Sequence, residues 1–131
     1  NLGDCSYNII MSTEIIGLSH AERLMVANIV RFNHEIFEYY DSTSPFTKGL
    51  SMEEYLRVAK LTAILRIANG LDRTHKQKFK DVKVFIKDND LIINVDTRDD
   101  ITLEKGLFNN RASFFEEVFG LRPVIRQKKM L

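Results

Sequence analysis

Apolar residues recur at helical intervals through the first seventy positions and then switch to strict alternation. The chain therefore reads as a helical part followed by a small α/β part. Over residues 6–16, Ile9, Ile10 and Ile15 fall in helical spacing with Tyr7 and Met11, and Gly17 closes the segment. Ser19-His20-Ala21-Glu22 matches a capping box, in which the Ser hydroxyl takes the third-position N–H while the Glu reaches back. The helix it opens carries Met25, Ile29, Phe32 and Ile36 on one stripe, with Val26 and Val30 beside it. Asn28, Arg31 and His34, at successive i,i+3 steps, mark its other face. Residues 39–49 hold Asp41-Ser42-Thr43-Ser44-Pro45 and Lys48-Gly49, which is turn chemistry. Ser51-Met52-Glu53-Glu54 is a second capping box. Residues 58–68, VAKLTAILRIA, are apolar nearly all round and predict a helix at the centre of a bundle. Arg66 sits inside that run, so its guanidinium needs a partner or a ligand.

From Asp81 the period becomes two. Val82, Val84 and Ile86 alternate with Lys83, Phe85 and Lys87, and Leu91, Ile93 and Val95 alternate with Ile92 and Asn94. Asp88-Asn89-Asp90 between the runs predicts a hairpin. Residues 101–119 read as a helix, with Leu103, Leu107, Phe114 and Val118 near one face and Phe108, Phe115 and Phe119 alongside. Gly120 is placed for a left-handed cap. Residues 121–127 form a last strand able to join the hairpin, giving β-β-α-β with one helix on a small antiparallel sheet. The fold class is α+β, divided into a helical part over residues 1–80 and a small α/β part over residues 81–131.

Composition narrows the class without naming a function. With 131 residues, 44% hydrophobic, Gly 6 and Pro 2, the chain suits one real core and excludes disordered or collagen-like classes. No apolar run approaches the ~20 residues of a membrane span. The N-terminus, Asn1-Leu2-Gly3-Asp4, carries neither an initiator Met nor a basic-then-apolar leader pattern, so we expect a fragment of a longer polypeptide. A single cysteine, Cys5, excludes an intramolecular disulfide and fits a reducing cytoplasm. The net charge of +1 hides an uneven distribution. Residues 1–50 carry three basic and six acidic side chains, residues 51–80 seven and three, and residues 81–131 nine of each. From Arg57 to Lys80 the only acid is Asp72, against Arg57, Lys60, Arg66, Arg73, Lys76, Lys78 and Lys80. Such a segment either concentrates an anionic ligand or is simply a solvated helix end with a Lys-rich connector.

Most enzyme chemistries lack their residues. His20, His34 and His75 are far apart, with no His-Asp dipeptide, no HExxH and no Cys pair to build a metal centre. Cys5 has no evident base partner, no carboxylate pair stands out, and no Gly-rich phosphate loop is present. Anion binding remains. If the long helix runs through Gly70, then Arg66, Asn69 and Arg73 share one face, two guanidinium forks flanking an amide. Arg31 and His34 could approach the same face. The competing reading pairs Arg66 with Asp72 or a glutamate as a satisfied buried charge. Nucleic-acid binding is disfavoured, because the strands lack clustered outward aromatics.

The run KLTAILRIANGLDRTH, residues 60–75, resembles the signature of the C-terminal region of the exopolyphosphatase / guanosine pentaphosphate phosphohydrolase (Ppx/GppA) family, which shows a KLAAILRIADGLDRSH-like run. Residues 5–31, with SYNIIMSTEIIGLSHAER and the following VANIVRF, resemble the family's stretch ending in ARYHRK. FEEVFGLRPVI, residues 115–125, is similar to its terminal strand. The likeness spans essentially the whole chain. It implies a helical part related to the His-Asp phosphohydrolases, emptied of metal, followed by a small α/β part. It also implies an accessory role: binding or guiding polyphosphate or guanosine pentaphosphate and supporting a homodimer. Catalysis, with its magnesium, would belong to two actin-like domains absent from this chain. The phosphate contacts would be Arg31, His34, Lys60, Arg66, Asn69 and Arg73, with Lys76, Lys78 and Lys80 as an outer electrostatic guide. Neither a catalytic residue nor a cofactor is expected here.

The departures from the family pattern bear on that role. Gly3-Asp4-Cys5 stands where the family has His-His-Lys-His, Asn33 and His34 replace the His and Arg of its ARYHRK run, and Asn69 replaces an Asp. In metal-dependent relatives that Asp would be a ligand, so Asn69 argues against a metal centre. Two other readings stay open: a dimerisation or signalling module without a ligand, and a small metal-dependent phosphohydrolase.

Overall fold

The computed structural model describes residues 2–34, 37–41, 43–71 and 81–128; the side chains of His34 and Lys128 also lie outside it. In chain order the elements are α1 (Leu2–Ser12), α2 (His20–His34), α3 (Met52–Leu71), β1 (Asp81–Lys87), β2 (Asp90–Asp96), α4 (Thr102–Phe119) and β3 (Arg122–Lys128). The class is α+β. The chain divides into two compact units, Asn1–Thr62 and Ala63–Leu131, a division that falls inside α3. No described helix is long and apolar enough to cross a membrane.

In the first unit both capping boxes form. Glu22 N–H donates to Ser19 Oγ at 3.1 Å while Ser19 N–H donates to Glu22 Oε1 at 3.0 Å. Ser51 and Glu54 repeat the exchange at 3.1 and 2.9 Å. These backbone N–H bonds hold both glutamate pKa values below the usual carboxylate range. Helix α1 starts earlier than the spacing predicts and stops at Ser12, short of Ile16. Ser12 Oγ and Thr13 Oγ1 both donate to the Ile9 carbonyl, at 3.1 and 2.8 Å, and such side-chain bonds compete with continuation of the helix. The core gathers Leu24, Phe32, Leu50 and Val58, with Tyr7, Met11, Met25, Ile29 and Phe37 packed on it.

Helix α2 turns its expected stripe inward, with Phe32 buried and Met25 and Ile29 packed on the core, and it buries part of its other face as well. Ala27, Asn28 and Arg31 are buried, and Val26 is exposed. The polar face of the sequence pattern is thus partly an inward face. Its polar groups are answered there: Asn28 Nδ2 donates to the Leu24 and Phe46 carbonyls, both at 2.9 Å. Helix α3 is not apolar-buried all round either, because Leu56, Leu61 and Ile64 are about half exposed.

The second unit is built on a sheet of order β1-β2-β3. The hairpin forms as predicted, with Lys87 opposite Asp90 and Asp88 at φ 56 in the turn. The sheet is mixed, not antiparallel, because β3 runs parallel to β2. The intervening α4 is long enough to carry the chain back to the end where β2 began, which makes the connection a parallel crossover. Gly120 caps α4 in the left-handed region (φ 70), donating its N–H to the Glu116 carbonyl at 2.8 Å. The core comprises Ala63 and Ile67 of α3, Ile93 and Val95 of β2, Ile101, and Phe108 and Phe115 of α4. Phe108 and Phe115 thus form the inward stripe of α4, while Leu103 is exposed. Central β2 also buries Ile92 on its other face, in register with Phe85 and Val124.

Candidate anion-binding site

In the second unit the last turns of α3 present Arg66 and Asn69, three residues apart and both half-buried. Helix α4 brings a third polar side chain, Arg111. A Cβ on Gly70 would lie 3.2 Å from Arg111 Cδ and 3.4 Å from Phe108 Cα, so the missing side chain is what lets α4 approach. Across that contact Arg111 Nη1 donates to the Arg66 carbonyl at 3.1 Å. The Arg66 guanidinium carbon lies 4.9 Å from the Phe114 ring centroid, a cation–π distance. Burial, and then the adjacent Arg111 charge, lowers the Arg66 pKa from its ordinary value. The guanidinium remains cationic at neutral pH, since arginine starts so high. Two arginine side chains, one from α3 and one from α4, are thus brought to one place at the end of α3.

The predicted residues fall in different places. Arg66 and Asn69 belong to this site, in the second unit. Arg31 belongs to the first unit, where Nε donates to Asp4 Oδ1 at 3.0 Å and Nη2 to Glu38 Oε1 at 2.8 Å. Its guanidinium carbon also sits 3.8 Å from the Phe46 ring centroid. Arg31 is buried, and two carboxylates answer its charge. Lys60 is exposed and also belongs to the first unit. His34 ends α2. Arg73, Lys76, Lys78 and Lys80, together with the suggested Arg66 partner Asp72, lie outside the described residues.

Arg111 is the residue that sequence reasoning missed. It lies three positions after Phe108 and four before Phe115, both inward, so helical spacing alone sets it on the flank of the buried stripe. A cavity of this unit lies elsewhere, between α4 and β3. It measures about 520 Å³ and is lined by Lys105, Asn109, Ser113, Glu116 and Arg122 among others, and by none of the predicted residues. Among the described residues no group of three or more His, Cys, Asp and Glu side chains is placed to hold a metal ion. In comparison with known proteins, no family model matches the chain and no curated protein matches it.

Proposed function

We propose that this chain is a non-catalytic accessory module that binds a phosphate chain through Arg66, Asn69 and Arg111. It would serve an exopolyphosphatase-like hydrolase whose helical part is a metal-free relative of the His-Asp fold. The observation that supports this is the juxtaposition of Arg66 and Arg111. Two guanidinium groups brought to one place suit a phosphate chain, because each planar fork can bind two phosphate oxygens at once. The Asn69 amide adds a neutral donor to the same end of α3. Arg73, Lys76, Lys78 and Lys80 would extend the positive field along the ligand. In this reading Arg31 has a supporting role, because its charge is already matched within the first unit. Polyphosphate and guanosine pentaphosphate share the recognised chemistry. Magnesium and bond cleavage would belong to the catalytic domains.

Calorimetric titration with medium-length polyphosphate, at low and moderate salt and without metal, tests the proposal. Binding should weaken with salt and fall steeply in Arg66→Ala and Arg111→Ala, with Arg66→Lys intermediate because it keeps the charge and loses the fork. Equal binding by folded variants would move the phosphate contacts away from this site. A second reading, an interaction module that pairs two copies of the chain, is favoured by one specific observation. Every residue of β1 is exposed, and four of them are large and apolar.

A further inference from the structure

Strand β1 is an edge strand of an unusual kind. Val82, Val84, Phe85 and Ile86 are 42–62% exposed, and they occupy both faces of the strand. Edge strands of this composition invite pairing with another strand. What would pair with it can be read from its own sequence, Asp-Val-Lys-Val-Phe-Ile-Lys.

Main-chain alternation decides which groups point outward. In a two-residue hairpin the closing pair, here Lys87 and Asp90, exchanges hydrogen bonds. Alternation then turns the N–H and C=O groups of Lys87, Phe85, Lys83 and Asp81 toward β2. Those of Val82, Val84 and Ile86 point off the free edge. An antiparallel partner must therefore match these three positions.

We infer that the partner is a second copy of β1, paired antiparallel about a two-fold axis at Val84, and that this edge is the surface joining two copies of the chain. The inference rests on the second reading above and is independent of phosphate binding. In this register Val84 opposes its own copy and Val82 opposes Ile86, so all the outward groups meet in about six main-chain hydrogen bonds. Asp81 opposes Lys87 twice, a charge-complementary pair at each end of the seven-residue strand. Lys83 opposes Phe85, with the lysine stem available to cover the ring. The interface is isologous, as a closed two-fold dimer requires.

Charge also selects this register against its neighbours. Moving the axis to Lys83 sets Lys83 against its own copy. Moving it to Phe85 sets Lys83 against the other copy's Lys87, twice. Like charges directly opposed destabilise a strand pair, so the two lysines disfavour both slips. On the side-chain face of Val82 and Val84, the pairing would extend an apolar groove of about 230 Å³. That groove is lined also by Ile64, Ile67, Leu71 and Phe115, all within the second unit.

Sedimentation equilibrium of the full chain tests this, with folding of each variant checked by far-UV circular dichroism. The wild-type chain should sediment at twice its 15.2 kDa mass. Val84→Lys faces two ammonium groups at the axis and should weaken association roughly tenfold or more. Asp81→Lys should weaken it several-fold, and adding Lys87→Asp should restore it. A folded V84K variant that stays dimeric would place the interface elsewhere and overturn the inference. A wild-type chain that is monomeric at its highest soluble concentration would overturn the second reading itself. Failure of the folded double variant to regain association would overturn the register.

Discussion

Replacing Arg31 by Ala separates a structural arginine from a ligand-binding one. The side chain is 5% exposed, whereas its partners Asp4 and Glu38 are 40% and 47% exposed. Removing the guanidinium therefore leaves two carboxylates that reach water, and no uncompensated charge is buried. The ~3–5 kcal/mol of a broken buried pair is accordingly an upper bound. Two half-solvated ion pairs contribute about 0.2–1 kcal/mol each. The desolvated stacking of the guanidinium on Phe46 adds about 2 kcal/mol. The expected loss is about 2–4 kcal/mol. The readout is built into the sequence, because all four tyrosines, Tyr7, Tyr39, Tyr40 and Tyr55, lie in the first unit. Urea unfolding followed by tyrosine fluorescence reports that unit selectively. Arg31→Lys should recover only part of the loss, since one ammonium group cannot reproduce the Nε and Nη2 fork. If Arg31→Ala changed stability by less than about 0.5 kcal/mol and abolished polyphosphate binding, the structural assignment would fail.

Three further outcomes follow from the same contacts. Asn28→Ala deletes two 2.9 Å hydrogen bonds from a fully buried side chain and should cost about 2–3 kcal/mol by the tyrosine-monitored transition; a cost under about 0.5 kcal/mol would deny those bonds a role. Gly120→Ala places a side chain at φ 70 in open space, so the penalty is conformational alone, about 1 kcal/mol, measured by the far-UV thermal midpoint. Glu22 and Glu54 have folded pKa values below their unfolded ones, so their stabilisation is complete above the unfolded pKa, near pH 4.3. It disappears as pH falls through the lower folded values. Glu54→Gln should flatten the acid limb of the tyrosine transition, and an unchanged limb would contradict the capping assignment.

The elements with strong local codes were legible. Ser19-to-Glu22 and Ser51-to-Glu54 fixed two helix starts, Asp88-Asn89 fixed the hairpin, and Gly120 fixed a helix end, because each is decided within four or five residues. The extent of burial was less legible. Asn28 and Arg31 look like a solvent face in the sequence, and only tertiary partners, the Phe46 carbonyl and the Asp4 and Glu38 carboxylates, make their burial tolerable. The direction of β3, parallel to β2, is likewise not encoded locally, since its seven residues alone do not specify which neighbour they join. Of the candidate site, Arg66 and Asn69 were visible as an i,i+3 pair. Arg111 was not, because its place depends on an approach at Gly70 that involves residues forty positions apart.

Helix α3 has a consequence for any attempt to dissect the chain. Its first half lends Tyr55 and Val58 to one core and its second half lends Ala63 and Ile67 to the other. Cutting at the boundary would leave two helical stubs of about ten residues, below the ~12–15 that hold together in isolation. Cutting at residue 80 would strip the sheet of Ala63 and Ile67. The N–H groups of residues 63–66 bond carbonyls four residues back, so unwinding the first half removes acceptors from that junction turn alone. Hydrogen exchange along α3 should therefore find the amides of residues 63–66 opening with the first half, while those further along follow the second core.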